Sequence, residues 1–180
     1  MRIISGVHKG RKIIAPNNLP IRPTTDISKE SIFNILSNQY FFNEIRVLDL
    51  FTGSGNISYE FASRGVKHID CVDNNFNCIN FIKKTSELLN MNLNLFKIDV
   101  NNYLNKINNR YDIIFADPPY NYSLNELENI IKNIFERSLL NDFGVLIIEH
   151  SKFIKLNDLN NFNKMKKYGN CCFSFFIQKR

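Results

Sequence analysis

The sequence's most specific chemistry lies where an apolar run stops at two prolines. Tyr111-Asp-Ile-Ile-Phe-Ala116 leads into Asp117-Pro118-Pro119-Tyr120. The proline rings fix φ and restrict the residue before each, so Asp117 is held rigidly where the run ends. A carboxylate and a proline carbonyl held in this way can both accept hydrogen bonds from an amino group. They then aim its nitrogen lone pair at an electrophilic carbon. Tyr120 offers a flat face on which a base taken out of its helix can stack. Little general-base strength is needed, because an alkylated amine becomes acidic enough to lose its proton. Positioning for in-line attack is the main catalytic contribution.

A second constellation suits a nucleoside. Asp49 precedes the turn Thr52-Gly53-Ser54-Gly55, whose glycines allow positive φ and close approach of backbone to ligand. Asp73 follows Gly53 by twenty residues, where a carboxylate can take both ribose hydroxyls. Ser58 stands where a dinucleotide fingerprint has its third glycine. Up to this point the spacing suits NAD and S-adenosylmethionine equally. Asp117 to Tyr120 favours the second, since an oriented amine is what a methyl sulfonium carbon requires.

These residues need elements to hold them. From Arg46 onward, short apolar runs (47–51, 68–73, 94–98, 111–116 and 144–149) alternate with stretches of helical spacing. Gly65 falls at the expected C-cap of the first of these helices. The tail reads as a Lys-rich strand from about Phe162, a turn at Tyr168-Gly169-Asn170 and an aromatic strand to Ile177. The pattern predicts an α/β fold with a doubly wound, mainly parallel seven-stranded sheet closed by an antiparallel hairpin. Asp49, Asp73, Asp99, Asp117 and Glu149 then gather at strand ends, where such sheets bind ligands. Before the core, residues 2–15 read as a β-hairpin turning through Gly6 to Gly10, and a helix starts at Thr25 or Asp26. The expected organisation is one domain, with an N-terminal extension over 1–45 and a catalytic core over 46–180.

Composition narrows the class. No apolar run approaches the ~20 residues of a membrane-spanning helix, and the N-terminus lacks a leader pattern, so a cytoplasmic protein is expected. Cys71, Cys78, Cys171 and Cys172 form no C-x-x-C pair and have no histidine at ligand spacing. Reduced, buried thiols and no metal are expected. Residues 1–30 carry six basic side chains against two acids, and residues 151–180 carry seven against one. If both basic ends lie beside one cleft, they form a surface for a polyanion. Asp70 and Asp112 are expected to pair locally, and His150 to be structural.

The chain resembles the RsmD family of bacterial 16S rRNA guanine-N2 methyltransferases over nearly its whole length. The resemblance rests on Arg2-Ile-Ile-Ser-Gly6 with Lys9-Gly10-Arg11, and on Arg22-Pro23-Thr24-Thr25-Asp26 followed by Lys29 to Asn34. It continues through Asp49 to Gly55, Ser63-Arg64-Gly65, Asp117 to Tyr120, Glu149-His150-Ser151 and Lys167-Tyr168-Gly169. It implies a Rossmann-like class I methyltransferase that uses S-adenosylmethionine, releases S-adenosylhomocysteine and acts on 16S rRNA of the small ribosomal subunit, as a monomer. By the same resemblance, Asp49 and residues 52–55 hold the methionine part of the cofactor. Asp73 with Asn74 binds the ribose, Asp99 with Val100 the adenine, and Asp117 to Tyr120 the guanine. Arg2, Lys9, Arg11, Arg22, Pro23 and Thr24 are implied RNA contacts. Asp73 stands where the family usually has Glu, and Asn56 and Ser58 are also departures. Three alternatives have discriminating features. A DNA adenine-N6 methyltransferase would need a target-recognition region, for which the chain has no room. A silent RNA-binding module would not need the intact cofactor residues. An NAD-dependent dehydrogenase would leave the Pro-Pro-Tyr segment unexplained.

Overall fold

The computed structural model describes residues 1–16, 19 and 25–178. Thr25 caps the first helix, α1 (Asp26–Ser37), by accepting from Ser28 N. Four βα units then follow. They are β1 (Arg46–Leu50) with α2 (Asn56–Ser63), and β2 (His68–Asp73) with α3 (Phe76–Leu88). The next are β3 (Asn94–Lys97) with α4 (Val100–Leu104), and β4 (Tyr111–Ala116) with α5 (Leu124–Glu136). The chain closes through β5 (Leu140–Ser151), β6 (Phe162–Tyr168) and β7 (Cys171–Ile177).

The seven strands form one sheet in the order β3-β2-β1-β4-β5-β7-β6, parallel except for β7. The chain winds outward from β1 to β3, then returns to lay β4 against the other side of β1. That reversal opens a crevice above the carboxyl ends of β1 and β4.

Alternation along the strands sorts the core into two layers. On one face Leu48, Leu50, Ile114 and Leu146 pack against Leu127, Ile130 and Ile134 of α5. On the other, Val47, Ile69, Ile113 and Ile147 meet Ile32 and Phe33 of α1 and Phe61 of α2. Asp49 follows Val47 by two residues, so it shares the face covered by α2.

The structure adds to two expectations. The N-terminal hairpin is present but short, with one antiparallel bridge, Arg2↔Lys12, among the described residues. Ile3 N donates to Arg11 O and Ile13 N to Met1 O, both at 3.0 Å, across the hairpin, while other N–H groups of the segment turn to α2. Ile4 N and Ser5 N donate to the Glu60 carboxylate at 2.7 and 3.0 Å, and Val7 N donates to Ser63 O at 2.8 Å. Gly6 makes this contact possible, since a Cβ there would lie 1.8 Å from the Ser63 carbonyl oxygen. The fifth strand is also longer than the apolar run, because His150 and Ser151 pair with Cys172 and Cys171 of β7.

Glu60 is fully buried, with Arg64 Nε at 2.8 Å and Lys29 Nζ at 3.6 Å. Lys29, 1% exposed, also donates to Arg2 O at 2.6 Å and to Asn56 Oδ1 at 2.8 Å. Burial pulls its ammonium below the ordinary lysine value, and Glu60 opposes the shift. One buried charge cluster thus joins the N-terminal segment, α1 and α2.

Candidate active site

A cavity of about 600 Å³ lies over the carboxyl ends of β1, β2 and β4. Its walls are Asp49, Phe51 to Ser54, Asn56 and Ile57 at the start of α2, Asp73 to Asn75, and Asp117 to Tyr122. A larger hollow of about 980 Å³, with Tyr40, Arg110 and Phe143 in its wall, sits at the opposite end of the sheet. It contains neither the glycine turn nor the Pro-Pro segment.

The turn has the geometry its glycines permit: φ is +55° at Gly53 and +83° at Gly55. Gly53 N donates to Asp73 Oδ2 at 2.8 Å, and Asn75 N donates to Oδ1 at 2.8 Å. Two backbone donors therefore fix the Asp73 carboxylate, and each oxygen keeps a lone pair for a ligand hydroxyl. Gly55 serves packing rather than the cavity wall, since a Cβ there would meet the Tyr59 ring at 2.7 Å.

Asp49 is buried and accepts a 2.5 Å hydrogen bond from Ser58 Oγ. Burial pushes its carboxyl up to about 7; nearby Asp73 adds to the shift and the Ser58 bond opposes it. The hydroxyl of Ser58 also lies 3.1 Å from Cys71 Sγ. Asn56 has a different role. Its Oδ1 is taken by Lys29, while its buried Nδ2 has no partner among the described residues. An orphaned donor in a cavity wall suits a ligand acceptor, and such an atom is costly if left unpaired.

At the end of β4, Asp117 N reaches Leu50 O at 3.4 Å and the ladder stops. Pro118 is buried, and Tyr120 is 50% exposed. The Pro119 carbonyl accepts from Tyr122 N at 2.9 Å, whereas no backbone bond among the described residues uses the Pro118 carbonyl. Tyr122 packs edge-on against Phe51, with ring centroids 5.2 Å apart.

The structure thus brings together Asp49, Thr52, Gly53, Ser54, Asp73, Asn74 and Asp117 to Tyr120. It does not bring Asp99 and Val100 to the cavity wall. Asp99 caps α4 through Asn102 N at 3.0 Å, and Val100 is core. Arg2 is half-exposed and pairs with Asp26 at 3.1 Å, while Lys9 and Arg11 are exposed. Arg22, Pro23 and Thr24 lie outside the described residues. The N-terminal segment nevertheless reaches the cavity, with Met1 Sδ 3.6 Å from Ser54 Oγ.

Asp70 accepts from Tyr111 Oη and Asn94 Nδ2, and Asp112 from Arg46 N and Asn141 Nδ2. His150 is buried between Ser151 O and Ser174 Oγ, and burial lowers its pKa. Sequence reasoning missed Phe51, Tyr122, the donor role of Asn56 and the partnership of Ser58 with Asp49. The signal available for the last two was a pair of polar residues at a helix start where small ones are usual.

The sheet order, the crevice and the acid-bearing turns define a class I S-adenosylmethionine-dependent methyltransferase. The same fold, at TM-score 0.72 and 19% identity, is found in the Thermus thermophilus 16S rRNA N2 G1207 methyltransferase RsmC solved with AdoMet and guanosine. That match covers 89% of this chain and 45% of the other. The chain belongs to the RsmD family: the family model described as Conserved hypothetical protein 95 matches residues 1–177. It is 33% identical to the Ribosomal RNA small subunit methyltransferase D of Buchnera aphidicola subsp. Baizongia pistaciae, covering 83% of this chain and 75% of that one. The Haemophilus influenzae protein of the same name is 29% identical, with coverage of 93% and 87%.

Proposed function

We propose that this methyltransferase transfers a methyl group from S-adenosylmethionine to the exocyclic N2 of a guanine in 16S rRNA. The observation that carries the reading is the single cavity joining the glycine turn, Asp73 and Asp117 to Tyr120. The names of the relatives and of the fold neighbour supply the nucleic acid and the base.

The residues present fit the cofactor. Gly53 lets the backbone come close, Asp73 presents a fixed carboxylate to ribose hydroxyls, and the orphaned Asn56 amide needs an acceptor. Asp49 lies where a cationic amino-acid moiety would favour its ionised form. Asp99 with Val100 would reach the adenine from beyond the present wall. When bound, S-adenosylmethionine supplies a methyl group on a sulfonium sulfur, which an amine displaces to leave S-adenosylhomocysteine.

The chain's own part is positioning. The Asp117 carboxylate and the Pro118 carbonyl accept the two N–H groups of the guanine amine and direct its lone pair into the cavity. Tyr120 stacks on the base, and the proton leaves to Asp117 or to water. Among the described residues no group of three or more His, Cys, Asp or Glu could hold a metal ion. In this reading the enzyme is a cytoplasmic monomer. Separately, no helix among the described residues is long and apolar enough to cross a membrane.

The test is nucleoside mass spectrometry of methylation-deficient small ribosomal subunits treated with the protein and S-adenosylmethionine. New N2-methylguanosine is expected. N6-methyladenine in DNA, with no product in RNA, would overturn the reading.

A further inference from the structure

β5 outruns its neighbour. Ala116, the last residue of β4, pairs with Ile148, and β5 continues through Glu149, His150 and Ser151. At about 3.3 Å per residue, the chain leaving β5 stands roughly 10 Å beyond the end of β4. The two outer strands follow it. His150 pairs with Cys172 and Cys172 with Lys167, while Ser151 pairs with Cys171 and Cys171 with Tyr168. The result is a three-stranded wall beside Asp117 to Tyr120.

The rim of this wall has an unusual chemistry. Lys152, Phe153 and Lys155 follow Ser151, and Lys167 stands two strands across; all four are exposed. Phe153 is 83% exposed, with Lys152 Nζ 5.1 Å from its ring centroid. Lys167 is the cross-strand partner of Cys172, and Cys171 beside it pairs with Ser151, the residue before Lys152, so the two lysines stand at the same end of the wall. The salt bridges found among the described residues involve Arg2, Lys29, Arg64 and Lys132, and none of these rim lysines. Lysines on an edge strand guard against edge-to-edge pairing. That function would account for Lys164 and Lys166 of β6, but not for a bare phenylalanine flanked by cations at the substrate end of the sheet. Cations interleaved with an exposed aromatic ring suit a single-stranded nucleic acid, which offers phosphates and unstacked bases together.

We propose that this rim binds the RNA strand next to the target guanine. Phe153 stacks on an unpaired neighbouring base, and Lys152, Lys155 and Lys167 take the adjoining phosphates. This inference rests on RNA being the substrate.

The experiment is a salt titration of binding to unmethylated 16S rRNA transcribed in vitro, with S-adenosylmethionine affinity and thermal midpoint measured alongside. The double variant Lys152→Ala/Lys167→Ala should lower the slope of log K against log salt by about 1.4, two phosphates at roughly 0.7 each. Phe153→Ala should weaken RNA binding about 5- to 100-fold, while Phe153→Trp retains it. Cofactor affinity and thermal midpoint should stay at wild-type values in all three. If the wild type binds RNA and these variants match it in slope and affinity, the rim is not an RNA contact and the substrate reading stands. If the wild type fails to bind RNA at all, both fall together.

Discussion

Asp49 carries a carboxyl that titrates near neutrality, and its environment sets the sign of the effect. Burial raises its folded pKa to about 7, well above the ordinary aspartate value. The native state therefore holds a proton that the unfolded chain releases near pH 4. The stability this proton supplies is complete below pH 4 and is lost as pH rises toward 7. A cationic cofactor reverses the preference, because it is best served by the ionised acid. Calorimetric affinity for S-adenosylmethionine should therefore strengthen by up to about tenfold between pH 6 and 8, in proportion to the ionised fraction. Asp49→Asn should flatten that profile; a flat profile in the wild type would rule out the coupling. Asp117 makes the contrasting case. Asp117→Ala should abolish turnover and leave cofactor binding nearly intact, and equal loss of both would assign Asp117 to the cofactor instead. The positions of both acids could be read from strand ends alone. The Ser58 bond could not, because its partner is set by how α2 packs across β1.

The elements differ in how far their own residues specify them. Thr25, Ser123 with Glu126, and Gly65 are local signals, and each is found capping or ending the helix beside it. The N-terminal segment is specified from a distance: Glu60, more than fifty residues away, takes two of its backbone donors. A sequence reading that pairs Arg2-Ile-Ile with Lys-Ile-Ile finds the hairpin, but it has no access to that distant partner and so misses the docking on α2. The extension of β5 is hidden in the same way, since His150 and Ser151 are polar and become strand only against β7. The buried cluster supports a prediction at this scale. Glu60→Gln leaves Lys29 uncompensated in the interior and should cost about 3–5 kcal/mol in chemical denaturation. Limited proteolysis should then open the first fifteen residues before the core. Adding Lys29→Met should recover part of the loss; no recovery would show that the hydrogen bonds of Glu60, not its charge, hold the segment.

At the scale of the molecule, the N-terminal segment and the C-terminal hairpin both reach the end of the sheet that holds the cavity. The N-terminal segment touches the glycine turn through Met1, and the C-terminal hairpin carries β5 past the Pro-Pro segment. RNA affinity should accordingly fall about a hundredfold between 50 and 200 mM salt if about five phosphates are contacted. A shallow dependence would mean that shape, not charge, holds the substrate. The cavity also has a thiol in its wall. Cys78 lies among the cavity residues, buried, and burial with Asp73 nearby pushes its thiol up to about 11. Such a sulfur reacts with an alkylating reagent only while the cavity is transiently open. Cys78 can therefore report openings of this cavity. Alkylation of Cys78, followed by peptide mass spectrometry, should proceed in proportion to the open population in the free enzyme and slow as S-adenosylmethionine fills the site.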